Sequence, residues 1–167
     1  MVGHAQPQIV ERAEQPYVAI RGRVTMTTIP AIADRFPELM SWLADRDIPV
    51  TAAPFLKYNV FDASGVLEIE AAAPVASLPV TATSDAVVSG TVPAGRYASL
   101  IHLGPFEGLQ PATERLLTWA SDQELAWDAS DGPVGERWGG RLEIYHTDPR
   151  QAPQQDWKTE LAFRLAD

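Results

Sequence analysis

The chain contains no cysteine. That single absence removes disulfides, thiolate zinc sites and thiol nucleophiles. Histidine is scarce as well: His4, His102 and His146 are the three present. None is spaced from another as metal ligands are, and His4 falls in a terminal stretch expected to be mobile. No metal and no cofactor are expected. Basic runs are also missing, with 13 Lys and Arg scattered among 22 Asp and Glu for a net charge of −9. A nucleic-acid partner needs clustered cations to meet phosphates, so none is expected. No apolar run is long enough to cross a bilayer, and no charged-then-apolar leader opens the chain. The expected location is the cytoplasm, without a membrane partner. No Gly-x-Ser-x-Gly elbow is present, so a serine triad of that kind is not foreseen. No protein partner is read from the sequence.

What is present suits a globular fold. Hydrophobic residues make up 46% of the 167 positions, and mean hydropathy is −0.12. That is ordinary for a chain with a real core, most simply one domain over 1–167 or two small fused halves.

The chain reads as if written twice. Leu39-Met40-Ser41-Trp42-Leu43-Ala44-Asp45 recurs as Leu116-Leu117-Thr118-Trp119-Ala120-Ser121-Asp122, 77 positions later. Upstream, Tyr17-Val18-Ala19-Ile20 resembles Tyr97-Ala98-Ser99-Leu100. Pseudo-repeats of about 8–75 and 92–167 follow, each reading strand, helix, strand, strand. Tyr17 to Val24 and Arg96 to Leu103 are rich in β-branched and aromatic residues. Ile32, Phe36, Leu39, Met40 and Leu43 recur at helical spacing, as do Leu109, Thr113, Leu116, Leu117 and Ala120. Pro30 suits a first helical turn, whereas Pro37 inside the same pattern implies a kink or a fresh start near Phe36. Ala53 to Asp62 and Val66 to Ala73 predict a hairpin around Ala63-Ser64-Gly65. Residues 75–94, 126–137 and 149–156 read as connections. The expected fold class is α+β: a duplicated β-α-β-β domain of pseudo-two-fold symmetry. Its antiparallel sheet carries two main helices and leaves a cleft between the halves.

Glu143 stands out within Arg141-Leu142-Glu143-Ile144-Tyr145-His146. The run alternates as a strand does, so Tyr145 shares the face of Glu143. Two readings stand: a wet strand face, or an acid among aromatics that meets an apolar ligand bearing positive charge. On the second reading Tyr145, Tyr58, Trp138, Phe55 and His102 are candidate ligand contacts. Core packing competes for Phe55, Trp138 and Tyr97, and a structural role competes for His102. The repeat alignment places Lys57 or a near neighbour opposite Glu143. Core packing or a helix-face contact is expected for Trp42 and Trp119, solvent for Glu70 and Glu160, and one edge of the cleft for Trp157. Charge-assisted bonding to an organic cation contributes about 1.5–3 kcal/mol, and each aromatic face about 0.5–2 kcal/mol.

Three stretches carry a family resemblance. They are Pro93 to Phe106 with its Gly104-Pro105-Phe106 turn, Arg137-Trp138-Gly139-Gly140-Arg141-Leu142-Glu143-Ile144-Tyr145 followed by Asp148-Pro149, and Asp156-Trp157-Lys158-Thr159-Glu160-Leu161. Their order and spacing resemble the GyrI-like small-molecule-binding family, and the resemblance spans nearly the whole chain. Pro54-Phe55, Tyr58 and Glu70 before Pro74-Val75 fit its stand-alone branch. The resemblance implies an SHS2-like duplicated fold with a ligand cleft, in which a penultimate-strand glutamate, here Glu143, meets lipophilic cations. The expected function is therefore binding of hydrophobic, often cationic, xenobiotics. The alternative, from stand-alone members, is a hydrolase that opens cyclopropane-bearing DNA-alkylating compounds in an aromatic cage, with Glu143 and Tyr145 as catalytic residues. The regulators' fused DNA-binding segment is not recognised in this sequence, so a direct transcriptional role is not expected.

Overall fold

The computed structural model describes residues 6–78 and 87–167. His4 and the central part of the expected 75–94 connection lie outside them. Strands β1 (Gln8–Arg12) and β2 (Gln15–Val24) lead into helices α1 (Pro30–Ala33) and α2 (Phe36–Asp45). The hairpin β3 (Phe55–Asp62) and β4 (Leu67–Pro74) follows, then β5 (Val87–Val92) and β6 (Gly95–Leu103). Helix α3 (Leu109–Asp122) precedes short strands β7 (Ala129–Asp131) and β8 (Gly135–Trp138). Strands β9 (Arg141–Tyr145) and β10 (Lys158–Arg164) complete the order. No helix among the described residues is long and apolar enough to cross a membrane.

All strands join one antiparallel sheet whose main path runs β1-β6-β10-β9-β3-β4-β2-β5. Its symmetry is plain. The first half contributes β3-β4-β2 outward from the middle, the second β9-β10-β6. The seam is the β3–β9 pair, where Phe55, Leu56 and Lys57 stand opposite Ile144, Glu143 and Leu142. Each half also lends a leading strand to the other: β1 pairs with β6 and β5 with β2. The duplicated β-α-β-β reading therefore holds, with additions. The connection expected at 75–94 contains β5, and that at 126–137 contains β7 and β8. Short two- to four-residue ladders such as β7–β8 offer too little alternation to be seen in sequence.

Proline punctuation decides the first helical region. Pro30 opens α1, and Pro37 sits in the first turn of α2. Its missing N–H costs nothing there, so the chain breaks into two helices at Asp34-Arg35. In the hairpin, Asp62 accepts the Ser64 N–H at 2.7 Å, and Gly65 takes a φ of 94° that favours glycine.

The helices pack on one face of the sheet. Leu39 and Leu43 of α2 meet Val18, Ile20 and Ala73. Leu109, Ala112 and Leu116 of α3 meet Ala98, Leu100 and Leu161. The opposite face curls around its own core of Tyr17, Phe55, Tyr97, Leu142 and Ile144. Helix α3 thus buries Ala112, which its sequence pattern did not select, while Thr113 and Leu117 are only half-buried. Leu116 is fully buried at the centre of that contact. Leu116→Ala is expected to cost about 2–5 kcal/mol through lost transfer energy and the cavity left behind. Urea unfolding monitored by tryptophan fluorescence checks this, and a loss below about 1 kcal/mol would mean α3 is not anchored there.

Candidate functional site

A cavity of about 1300 Å³ opens between α1–α2 and α3, over the seam of the sheet. Its floor is the helix-side face of β3 and β9: Leu56, Tyr58, Arg141, Glu143 and Tyr145. Phe36 and Met40 wall one side, and Leu109 and Thr113 the other. Phe106 and the segment His146–Arg150 form part of the rim. Strand alternation explains the floor, since residues two apart project to the same side.

Glu143 is the acid on the floor of this apolar space. Tyr145 Oη donates to its Oε1 at 2.5 Å. Tyr58 Oη lies 3.5 Å from Oε2, a weak donation. Burial pushes the Glu143 carboxyl above the usual range, while the two phenols and the Arg141 charge pull it back. Burial, followed by the Glu143 charge, pushes both phenols far up, so they remain donors at neutral pH. Aromatic rings brace these groups. Tyr145 meets Phe36 edge-on at 6.0 Å and Phe106 at 5.7 Å. Phe106 packs on Trp157 at 4.7 Å, and Tyr58 stacks on Phe61 at 6.0 Å.

Of the residues singled out in the sequence, Glu143, Tyr145 and Tyr58 come together on the cavity floor. Three others do not line it. Phe55 is on the opposite face, edge-on to Tyr17 at 5.6 Å. Its neighbour Leu56 takes the cavity side, the one-residue shift that reverses every face of a strand. Trp138 is buried against Trp127 and Phe163 and donates from Nε1 to Glu136 at 2.7 Å. His102 places Nε2 2.9 Å from the Pro105 carbonyl. It fills the space beside Gly108, where an added Cβ would come within 2.4 Å of the ring. That is a structural histidine, fixing the entrance to α3.

The expectation that Lys57 or a near neighbour stands opposite Glu143 is met by the near neighbour, Leu56. Glu143 stands across from Leu56, and Lys57 from Leu142. Lys57 therefore points to the other face, where its Nζ donates to Asn59 at 2.5 Å and lies 4.0 Å from Glu70. Glu70 is not solvated: it is buried and also accepts from Tyr17 Oη at 2.9 Å. Glu160 likewise is partnered, by Ser99 at 2.7 Å and His146 at 2.9 Å.

The sequence reading missed Arg141, Phe36, Leu56 and Phe106 as cavity residues. Arg141 had a signal, standing two positions before Glu143 and so on its face. Phe106 had none in its spacing, because it follows the Gly104-Pro105 turn and precedes the regular helix. Among the described residues no cluster of three or more His, Asp or Glu forms a metal site.

A two-helix roof over a curled antiparallel sheet, with an apolar cleft at its seam, defines a class of small-molecule-binding domains. The chain belongs to the GyrI-like small molecule binding domain family, whose model matches residues 5–166. No curated protein matches the chain. Among solved structures, the C-terminal domain of EcmrR is similar with a TM-score of 0.72 at 20% identity, over 97% of this chain and 98% of that one. EcmrR in its DNA complex gives 0.75 at 17% identity over 97% of this chain, which spans 57% of that chain's length. SAV2435 bound to tetraphenylphosphonium gives 0.59 at 12% identity, over 97% and 94% of the two chains. At these identities the likeness speaks for the fold.

The raised Glu143 carboxyl has a pH consequence. Between its ordinary value of 4.5 and the higher native one, the folded chain binds more protons than the unfolded chain. Stability from this group is therefore lost as pH rises through that window. Denaturant midpoints from about pH 4 upward should show the wild type losing stability relative to Glu143→Gln. A constant difference across that range would mean that burial does not control the group.

Proposed function

We propose that this protein binds hydrophobic, often cationic, foreign small molecules in the cleft, with Glu143 as the acid that meets the positive charge. The observation that carries this reading is a carboxyl group on the floor of an apolar cavity, held by phenols instead of a salt bridge. Desolvation makes its ionised form costly, and a cation arriving with an apolar body offsets that cost. Aromatic walls accept flat ligands of varied outline, and charge attraction is only weakly directional. The tetraphenylphosphonium bound to SAV2435 is a lipophilic cation, which supports this reading by likeness of fold.

Fluorescence titration with the methyl ester of a planar xanthene dye, a lipophilic cation, tests it. Wild type should bind saturably. Glu143→Gln should weaken binding about tenfold, equivalent to roughly 1.4 kcal/mol, with little change for a neutral aromatic of similar size. Equal losses for both probes would assign Glu143 a structural role.

A hydrolytic reading draws on the same geometry. Glu143 has protonated phenols beside it, which suits a group that orients or deprotonates water while Tyr145 donates to a developing phenolate. The water oxygen would bond to a cyclopropane carbon as the strained ring bond breaks and its electrons pass to the conjugated carbonyl. Incubation with a cyclopropane-bearing alkylator should give a product heavier by one water in mass spectrometry. Unchanged substrate at stoichiometric enzyme would remove this reading for that class.

A further inference from the structure

Arg141 shares the cavity floor with Glu143, yet its chemistry is opposite. Its guanidinium carbon lies 4.5 Å from the Phe61 ring centre, 4.7 Å from Trp138 and 4.5 Å from Phe163. These rings offer π-faces and no lone pairs in return for its N–H donors. Among the described residues, the Arg141 guanidinium makes no hydrogen bond and no ion pair, its neighbours being the three rings. The other half-buried arginines behave differently. Arg164 pairs with Asp128 at 3.0 Å and donates to the Ala94 carbonyl, and Arg12 lies 3.5 Å from Glu160. Burial lowers Arg141 only to about 10, so it stays charged at neutral pH.

A guanidinium has five donors, and leaving them unmet away from water is costly. In the open cavity, water can meet them. A ligand filling the cavity displaces that water and must replace its acceptors or lose affinity. We propose that Arg141 is a second polar subsite, so the cleft prefers ligands carrying a carboxylate or similar anionic oxygen on the aromatic body over purely cationic ones. Arg141 and Glu143 are two residues apart on one strand, roughly 7 Å along it. The matching ligand is an aromatic zwitterion whose cationic and anionic groups reach both side chains at once. Such a ligand meets both floor charges, whereas a simple cation meets Glu143 and is repelled by Arg141. Arginine suits the task because its fork matches a carboxylate in two parallel bonds.

This inference rests on the reading of the cleft as a small-molecule site, and the experiment separates the two. The full chain is titrated with a xanthene dye bearing a free carboxylate and, in parallel, with its methyl ester. Wild type should bind the acid at least about tenfold more tightly, or roughly 1.4 kcal/mol. Arg141→Met should bring the acid-to-ester ratio close to unity, and Arg141→Lys should retain part of it. The wild-type comparison is decisive even if a variant folds poorly. Equal affinity for both dyes, or preference for the ester, overturns the Arg141 subsite and leaves the cation reading standing. Failure of both dyes to bind overturns the two together.

Discussion

The short ladder between β3 and β9 is the constraint on which the site depends. It pairs Leu56 with Glu143 and joins the two halves into one sheet. Because side chains alternate, that register sends Leu56, Tyr58, Arg141, Glu143 and Tyr145 to the helix side and Phe55, Lys57, Leu142 and Ile144 to the curled core. A slip of one residue would exchange the sets, placing Phe55, Leu142 and Ile144 in the cleft and Arg141 and Glu143 in the core. The register is fixed by that penalty. The exchanged strands β1 and β5, each paired with the opposite half, hold the curl that closes the core behind the seam.

The cleft is also a product of symmetry and its breakage. Equivalent helices stand on equivalent strands, so the space between them falls on the pseudo-axis. The repeat halves differ where chemistry is needed. The second half contributes Arg141, Glu143 and Tyr145 to the floor, and the first contributes Leu56 and Tyr58. Phe106 and Phe36 approach Tyr145 from opposite walls. The polar groups on the floor are thus few, partly desolvated and surrounded by adaptable apolar surface. That combination suits a site whose ligands share a charge pattern more than a shape.

Much of this was legible in the chain. The Leu-x-x-Trp-x-x-Asp echo disclosed the duplication, and period-two alternation placed Tyr145 with Glu143. Proline grammar offered a kink or a fresh start near Phe36, and the fresh start is the one that forms. The rest depended on contacts remote in sequence. Trp138 looked like a cavity wall because it is near Glu143 in the chain, but β8 turns it toward Trp127 and Phe163. The bulge in β3 between Tyr58 and Val60 transfers that strand from β9 to β8, and no residue pattern announces it. Glu70 looked solvated until its partners Tyr17 and Asn59, distant in the chain, arrived beside it.

The sequence by itself determined the repeated β-α-β-β order, the acidic surface, the absence of thiol chemistry and the face shared by Glu143 and Tyr145. These follow from composition and from periodicities of two and 3.6 residues, which are local properties. The tertiary structure decided which half of each strand faces the cleft, that Lys57 lies away from Glu143, and that the half-buried Arg141 guanidinium is surrounded by rings on the cavity floor. Those outcomes depend on cross-strand register and on rings from separate elements converging, and neither is encoded within any one segment.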